Sequence, residues 1–117
     1  MSNTKIVFNQ EMRLKKQSDF DQLFTKSVKS SLNGLTIRVR ENGLSFCRLG
    51  IMVSRKHGNA VQRNRIKRVI REVFRKDQID NNIKYDILVS FYKKLSQMKN
   101  DEVAGFFRHI LNKIIKS

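Results

Sequence analysis

The chain carries, at positions 54–76, the sequence SRKHGNAVQRNRIKRVIREVFRK. Nine of these residues are lysine or arginine, and only Glu72 is acidic. Nine minus one leaves this segment with +8 of the chain's formal net charge of +15. Such a concentration of positive charge is typical of a surface that binds a polyanion. We therefore expect the binding site of the protein to lie here.

The apolar residues of this segment predict a helix with one buried face. At 3.6 residues per turn they fall in a single stripe, which contains Ile66, Val69, Ile70, Val73 and Phe74. Gly58 is expected to end a preceding strand, and Asn59 is predicted to cap the helix. The free amides of the first turn then lie near Arg63 and Arg65, which favours phosphate binding.

The charged side of the same helix argues against an ordinary solvated surface. A solvated helix face usually mixes charges of both signs. Here Arg63, Lys67, Arg71 and Arg75 form an unbroken row of like charge at a spacing of four residues. Such a row repels itself unless a polyanion neutralises it, so we interpret the helix as a nucleic-acid interface.

The run GNAVQRNRIKR at positions 58–68, entered through Ser54, Arg55 and Lys56, resembles the signature of the protein subunit of bacterial ribonuclease P. The resemblance follows nearly the whole chain, so residues 1–117 are expected to form one ribonuclease P protein domain. It implies a ribonucleoprotein that endonucleolytically removes the 5′ leader from precursor tRNA. Hydrolysis is then carried by the catalytic RNA with Mg²⁺. The protein is implied to bind the RNA and the precursor tRNA leader, raising substrate affinity and lowering the magnesium requirement.

The resemblance also implies a role for particular residues. Those expected to bind the RNA subunit are Arg55, Lys56, Asn59, Arg63, Asn64, Arg65 and Arg68. Those expected to bind the leader are Phe20, Phe24, Arg38, Lys67 and Arg71. Composition alone favours a core position for Phe20 and Phe24, whereas the family uses two phenylalanines of its first helix to line a cleft. The family often has an aromatic residue where this chain has Arg38, so here charge replaces a stacking ring.

Composition limits the remaining possibilities. A basic chain of 117 residues with a pI of about 10.6 can bury one modest core. We expect residues 1–17 to form a basic N-terminal arm that carries Arg13, Lys15 and Lys16. No apolar run approaches the roughly 20 residues of a membrane span, and Cys47 is expected to be a buried thiol. These features predict a cytoplasmic protein with no membrane contact and no obligate protein partner.

Local patterns predict an α+β fold in the order α-β-β-β-α-β-α. The first half is predicted to contain a helix capped by Ser18, a polar loop over 28–33 and a strand over 35–40. A hairpin turn at Asn42-Gly43 and strands over 45–53 follow. After the central helix come a connection over 77–84, a strand over 85–92 and a helix capped by Asn100. These elements are expected to form a two-layer sandwich with a four-stranded sheet. The resemblance implies an unusual left-handed βαβ crossover through the central helix.

No residues are predicted to be catalytic or to bind a metal. The two histidines, His57 and His109, lie in unrelated contexts, and the carboxylates show no spacing suited to two metal ions. The main alternative is a non-catalytic structural RNA-binding protein, such as a ribosomal protein or an RNA chaperone. A helix that reads the DNA major groove is less well supported, because the central helix follows a strand and not a tight helix turn.

Overall fold

The computed structural model describes residues 13–76 and 84–115. Its elements are α1 (Gln17–Thr25), β1 (Val28–Leu32), β2 (Leu35–Glu41), β3 (Arg48–Met52), α2 (Ala60–Lys76), β4 (Tyr85–Phe91), a 3-10 turn (Leu95–Gln97) and α3 (Asn100–Ile115). The predicted α+β class and order of elements are confirmed. Most of the predicted arm (1–12) and of the connection after α2 (77–83) lies outside the described residues.

The four strands form one mixed sheet in the order β1-β2-β4-β3. β2 is antiparallel to both of its neighbours, whereas β3 runs parallel to β4. Because β3 and β4 are parallel, the chain between them must cross from one end of the sheet to the other, and α2 lies in that crossover. The left hand of the crossover stays a prediction from the resemblance.

Three local predictions in the first half of the sheet are wrong. The strands predicted over 45–53 are one shorter strand, β3, which is not divided at Gly50. The segment predicted as a loop over 28–33 contains β1, which joins β2 through a two-residue turn at Asn33-Gly34. Both turn residues have positive φ angles, 46° and 100°, as a type I′ hairpin requires. The Asn42-Gly43 pair forms no hairpin between β2 and β3, because β4 lies between these two strands.

Two helices pack on one face of the sheet and one short helix packs on the other. α2 and α3 pack on the face that carries Leu35, Ile37 and Val39, and together they form the main core, which also buries Cys47 as predicted. α1 packs on the opposite face, where Leu23 joins Leu88 in a small second cluster. The sheet with α2 and α3 makes the two predicted layers, and α1 adds a short helix on the far side.

The helix starts agree only partly with the predicted caps. Asn59 caps α2 as predicted: its Oδ1 accepts the Gln62 amide at 2.8 Å, and the Gln62 Oε1 accepts the Asn59 amide at 2.9 Å. This reciprocal pair is a capping box. The Ser18 prediction is wrong, since α1 begins at Gln17 without a side-chain cap. Asn100 is the first residue of α3 and not the cap before it.

A buried ionic network fixes α1 to the sheet. The Asp86 carboxylate, fully buried on β4, accepts hydrogen bonds from Arg48 Nε at 2.8 Å and Nη2 at 2.7 Å, and from Asn42 Nδ2 at 3.0 Å. The same guanidinium also reaches Asp19 of α1, with both distances 3.3 Å. The hydrogen bond to Asp86 is the main cause of a raised Arg48 pKa. The bond between Asp19 and Arg48 joins residues 29 positions apart, so no local sequence pattern indicates it.

We predict that Arg48→Met lowers the free energy of unfolding by about 3 kcal/mol, because it leaves the buried Asp86 carboxylate without its cation. Urea denaturation followed by circular dichroism measures the change. Arg55→Met is the matched control: Arg55 is exposed on the turn before α2, and its loss should change stability by no more than about 0.5 kcal/mol. Equal stability of the two variants would contradict the role given to the network.

Candidate RNA interface

The turn before α2 is built to hold the helix start rigidly. The His57 Nδ1 accepts the Ser54 amide at 3.1 Å, and the Ser54 carbonyl accepts the His57 amide at 3.0 Å. A Cβ on Gly58 would lie 2.6 Å from the Gln62 Oε1, so a side chain at this position would disturb the capping box. The first turn of α2 is open to solvent, with Val61 77% exposed. Its remaining free amides and the helix dipole can therefore face an anion.

The outer surface of α2 and the turn before it carry unneutralised positive charge. Arg55, Lys56, Asn64 and Arg68 are exposed, and Arg63 is partly exposed. In residues 13–76 and 84–115, no carboxylate lies within ion-pair distance of these cations. We call these five residues the outer face. It holds five of the seven residues predicted to bind the RNA subunit.

The like-charge row on α2 is shorter than the sequence predicts. Arg75 donates to the Glu72 carboxylate at 2.8 Å, and Lys76 lies 3.7 Å from the same group. The hydrogen bond from Arg75 is the main cause of a lowered Glu72 pKa. Arg75 is therefore paired within the helix, and the uncompensated part of the row ends at Arg71.

Arg65, the sixth predicted RNA-subunit residue, is used inside the chain. Its Nη1 donates to the Met98 carbonyl at 3.2 Å and to the Asn100 side-chain oxygen, and its Nη2 donates to the Leu95 carbonyl at 3.1 Å. These bonds tie the start of α2 to the 3-10 turn and to α3. The seventh residue, Asn59, has its side-chain oxygen in the capping box. Arg65 and Asn59 therefore help to position the outer face, in addition to any contact that they make with RNA.

Three of the predicted leader residues share one cavity. Phe20 from α1 lies with Lys67 and Arg71 from α2 in a pocket of about 170 Å³, which is also lined by Arg13, Leu14, Leu49, Gly50 and Ile51. We call this the Phe20 pocket. Burial, followed by the nearby charge of Arg13, lowers the Arg71 pKa. Two guanidinium groups and one ammonium group held around an aromatic ring suit a nucleotide and its phosphates.

The other two leader residues line a wider groove. Phe24 and Arg38 meet there, with the Arg38 guanidinium carbon 4.7 Å from the centre of the Phe24 ring. The groove has a volume of about 680 Å³ and is completed by Ile51, Met52, Val53, Ser54, Lys56, His57, Ser90 and Phe91. We call this the Phe24 groove. Ile51 lines both cavities, so they adjoin across β3 and form one cleft.

The structure adds residues to the cleft that the sequence pattern did not single out. Arg13, predicted only as part of the arm, is paired with Leu49 beside β3 and lines the Phe20 pocket. Lys56, predicted to bind the RNA subunit, also lines the Phe24 groove. Lys15 and Lys16 are exposed just before α1 and line neither cavity. No local sequence pattern indicates this position, because it depends on the parallel pairing of Arg13 with Leu49 of β3.

The two histidines lie in different parts of the fold. His57 is bonded to Ser54 in the turn before α2 and lines the Phe24 groove, whereas His109 is exposed on α3. Within the described ranges, no three His, Cys, Asp or Glu residues are grouped so that they could hold a metal ion. None of the helices in these ranges is long and apolar enough to cross a bilayer.

A family model described as Ribonuclease P matches residues 8–115, which is nearly the whole chain. The chain belongs to the ribonuclease P protein family. The ribonuclease P protein component of Syntrophus aciditrophicus is 37% identical over 109 residues, covering 93% of this chain and 92% of that protein. The Thermotoga maritima protein component is 38% identical over 90 residues, covering 77% of each chain.

Solved structures of this family share the fold. The ribonuclease P protein of Staphylococcus aureus superposes with a TM-score of 0.79 at 31% identity, covering 89% of this chain and 95% of that one. The Thermotoga maritima protein gives a TM-score of 0.74 at 33% identity, covering 86% and 96%. The chain is thus a protein component of ribonuclease P, the ribonucleoprotein enzyme that processes tRNA. The comparisons give no support to a ribosomal protein or an RNA chaperone.

We predict that Arg65→Ala lowers the free energy of unfolding by about 2 kcal/mol, because three acceptors lose a charged donor. Arg65→Lys should restore little, since an ammonium group cannot reproduce the fork of bonds made by a guanidinium. Arg63→Ala is the matched control on the same turn of α2 and should leave stability within about 0.5 kcal/mol. Equal urea midpoints for Arg65→Ala and Arg63→Ala would contradict the internal role of Arg65.

Proposed function

We propose that this protein holds the single-stranded 5′ leader of precursor tRNA in the cleft formed by the Phe20 pocket and the Phe24 groove. One observation carries the proposal: α1 presents its two phenylalanines to the same cleft that receives Lys67 and Arg71 from α2. Rings bind unstacked bases, and cations beside them bind phosphates. Single-stranded RNA offers both groups at every nucleotide, whereas a paired stem hides its bases.

Phe24 and Phe20 contribute differently. Phe24 is 48% exposed and carries a guanidinium near one side of its ring, so it is available for stacking without any loss of core. Phe20 is partly buried against Leu14 and Leu23 and also supports the small second cluster. Stacking shows little preference among bases. A cleft of this kind suits an enzyme that must accept many different leaders.

The outer face is the surface that we assign to the RNA subunit. It lies on the solvent side of α2, whereas Lys67 and Arg71 turn toward the cleft. The capped first turn and the Arg65 bonds fix the backbone that carries these cations, which lowers the entropy lost on binding. Lys56 stands at the junction of the outer face and the Phe24 groove, so it can contact either RNA.

We assign the chemical step to the RNA subunit with its Mg²⁺. The protein then acts by binding and by charge. Cations that neutralise phosphates of the folded RNA take over part of the screening that magnesium supplies, so less magnesium is needed. In this proposal the partners are the catalytic RNA and precursor tRNA, without an obligate protein partner. Such an assembly works in the cytoplasm, where precursor tRNA is made.

The test is single-turnover cleavage by a bacterial ribonuclease P RNA at low magnesium, with and without the protein. We expect the protein to accelerate cleavage of a precursor with a long leader far more than one with a one-nucleotide leader. Phe24→Ala should weaken binding of the long-leader precursor by about 1 kcal/mol, or roughly fivefold, because a stacking surface is lost.

Phe24→Tyr keeps the ring and is the matched control, for which we expect nearly unchanged affinity. Because Phe24 is half exposed, neither variant should unfold the protein, and thermal denaturation checks this. Equal acceleration of both precursors by the wild-type protein would refute leader binding. Unchanged binding by Phe24→Ala, with leader dependence intact, would contradict base stacking on Phe24.

A further inference from the structure

Lys29 lies beside the cleft but has no part in the site described so far. It is exposed on β1, and the antiparallel register places it directly opposite Arg38 of β2. Arg38 in turn lies near the Phe24 ring in the Phe24 groove. Arg38 thus links the edge strand β1 to the proposed leader site.

The hydrogen bonds of the hairpin show which face of the sheet Lys29 occupies. Two positions further along the same strand pair, the Ser31 and Thr36 hydroxyl groups are bonded at 2.8 Å. Thr36 and Arg38 alternate with Leu35, Ile37 and Val39, which point into the main core. Lys29 and Arg38 therefore project from the face that carries α1 and the cleft.

The Lys29 and Arg38 pair has an electrostatic cost that no ion pair among the described residues offsets. Like charges directly opposite each other on neighbouring strands are destabilising. Among residues 13–76 and 84–115, no carboxylate is within ion-pair distance of either side chain. The carboxylates of Asp19 and Asp86 are both bonded to Arg48. An anion placed between the two cations removes the repulsion and gains two charge-assisted contacts.

We infer that Lys29 and Arg38 form a phosphate-binding subsite that extends the leader path from the Phe24 groove across the sheet to β1. This inference rests on the proposed function, because the phosphate is that of the leader. The Phe24 ring stands beside Arg38, so a base can stack there while the backbone continues over the strand pair. The subsite is reached only by a leader long enough to pass through the groove. Lys29 thus makes affinity depend on leader length.

The same phosphate chemistry is also present in the RNA subunit, and the experiment separates the two sources. The holoenzyme is assembled with wild-type protein, Lys29→Ala or Lys29→Arg. Equilibrium binding is measured for precursors whose leaders run from one to about ten nucleotides, and protein binding to the RNA subunit is measured separately. Lys113→Ala is the matched control, because it removes one exposed lysine from α3 on the opposite face of the sheet.

For Lys29→Ala we expect affinity for long leaders to fall about two- to fivefold, with the one-nucleotide leader unaffected. The dependence of log affinity on log salt should become shallower by about 0.7, the value of one single-strand phosphate contact. Lys29→Arg should keep wild-type affinity, and Lys113→Ala should match the wild type.

Two results would overturn the inference while leaving the proposed function intact. One is a wild-type leader-length profile for Lys29→Ala. The other is an equal loss for every leader together with weaker binding to the RNA subunit, which would assign the phosphate to that RNA. If the wild-type holoenzyme itself shows no dependence on leader length, the proposed function fails, and the subsite fails with it.

Discussion

The bonds of Arg48 to Asp86 and Asp19 are the interaction on which the RNA-binding surface depends. α1 has only nine residues and contributes one fully buried side chain, Leu23, so apolar packing holds it weakly. The guanidinium supplies the missing attachment, because one side of it neutralises a fully buried carboxylate and the other reaches the helix. Fixing α1 to the sheet places Phe20 beside Lys67 and Arg71 of α2, and Phe24 beside Arg38 of β2.

A small chain with a net charge of +15 must also keep its cations from opposing folding. The structure pairs some of them within the chain. Arg48, Arg65 and Arg75 are bonded within the chain, where they join elements or neutralise a helix face. The cations of the outer face lie together on α2 and the turn before it, so bound RNA would relieve their mutual repulsion.

The sequence predicted those features that depend on local spacing. The apolar stripe of α2 and its Asn59 cap follow from residues close together in the chain, and both are confirmed. Strand pairing does not follow from local spacing. Of the two Asn-Gly pairs, only Asn33-Gly34 forms a hairpin. The strands on either side of Asn42-Gly43 are separated by β4, which comes from far along the chain. Likewise, Arg63 and Arg65 look alike in sequence, but only Arg65 reaches acceptors more than 30 residues away, such as Met98 at a separation of 33.

The central claim is that the leader runs between α1 and α2 in the assembled enzyme. It is tested most directly by photocrosslinking from a photoreactive nucleotide placed at successive leader positions of precursor tRNA, with the crosslinked peptides identified by mass spectrometry. We predict crosslinks to α1, β2, the turn before α2 and α2 itself. Unlabelled precursor tRNA should remove these crosslinks, whereas mature tRNA should remove them poorly. Crosslinks that fall on α3, or that no unlabelled precursor removes, would contradict this claim.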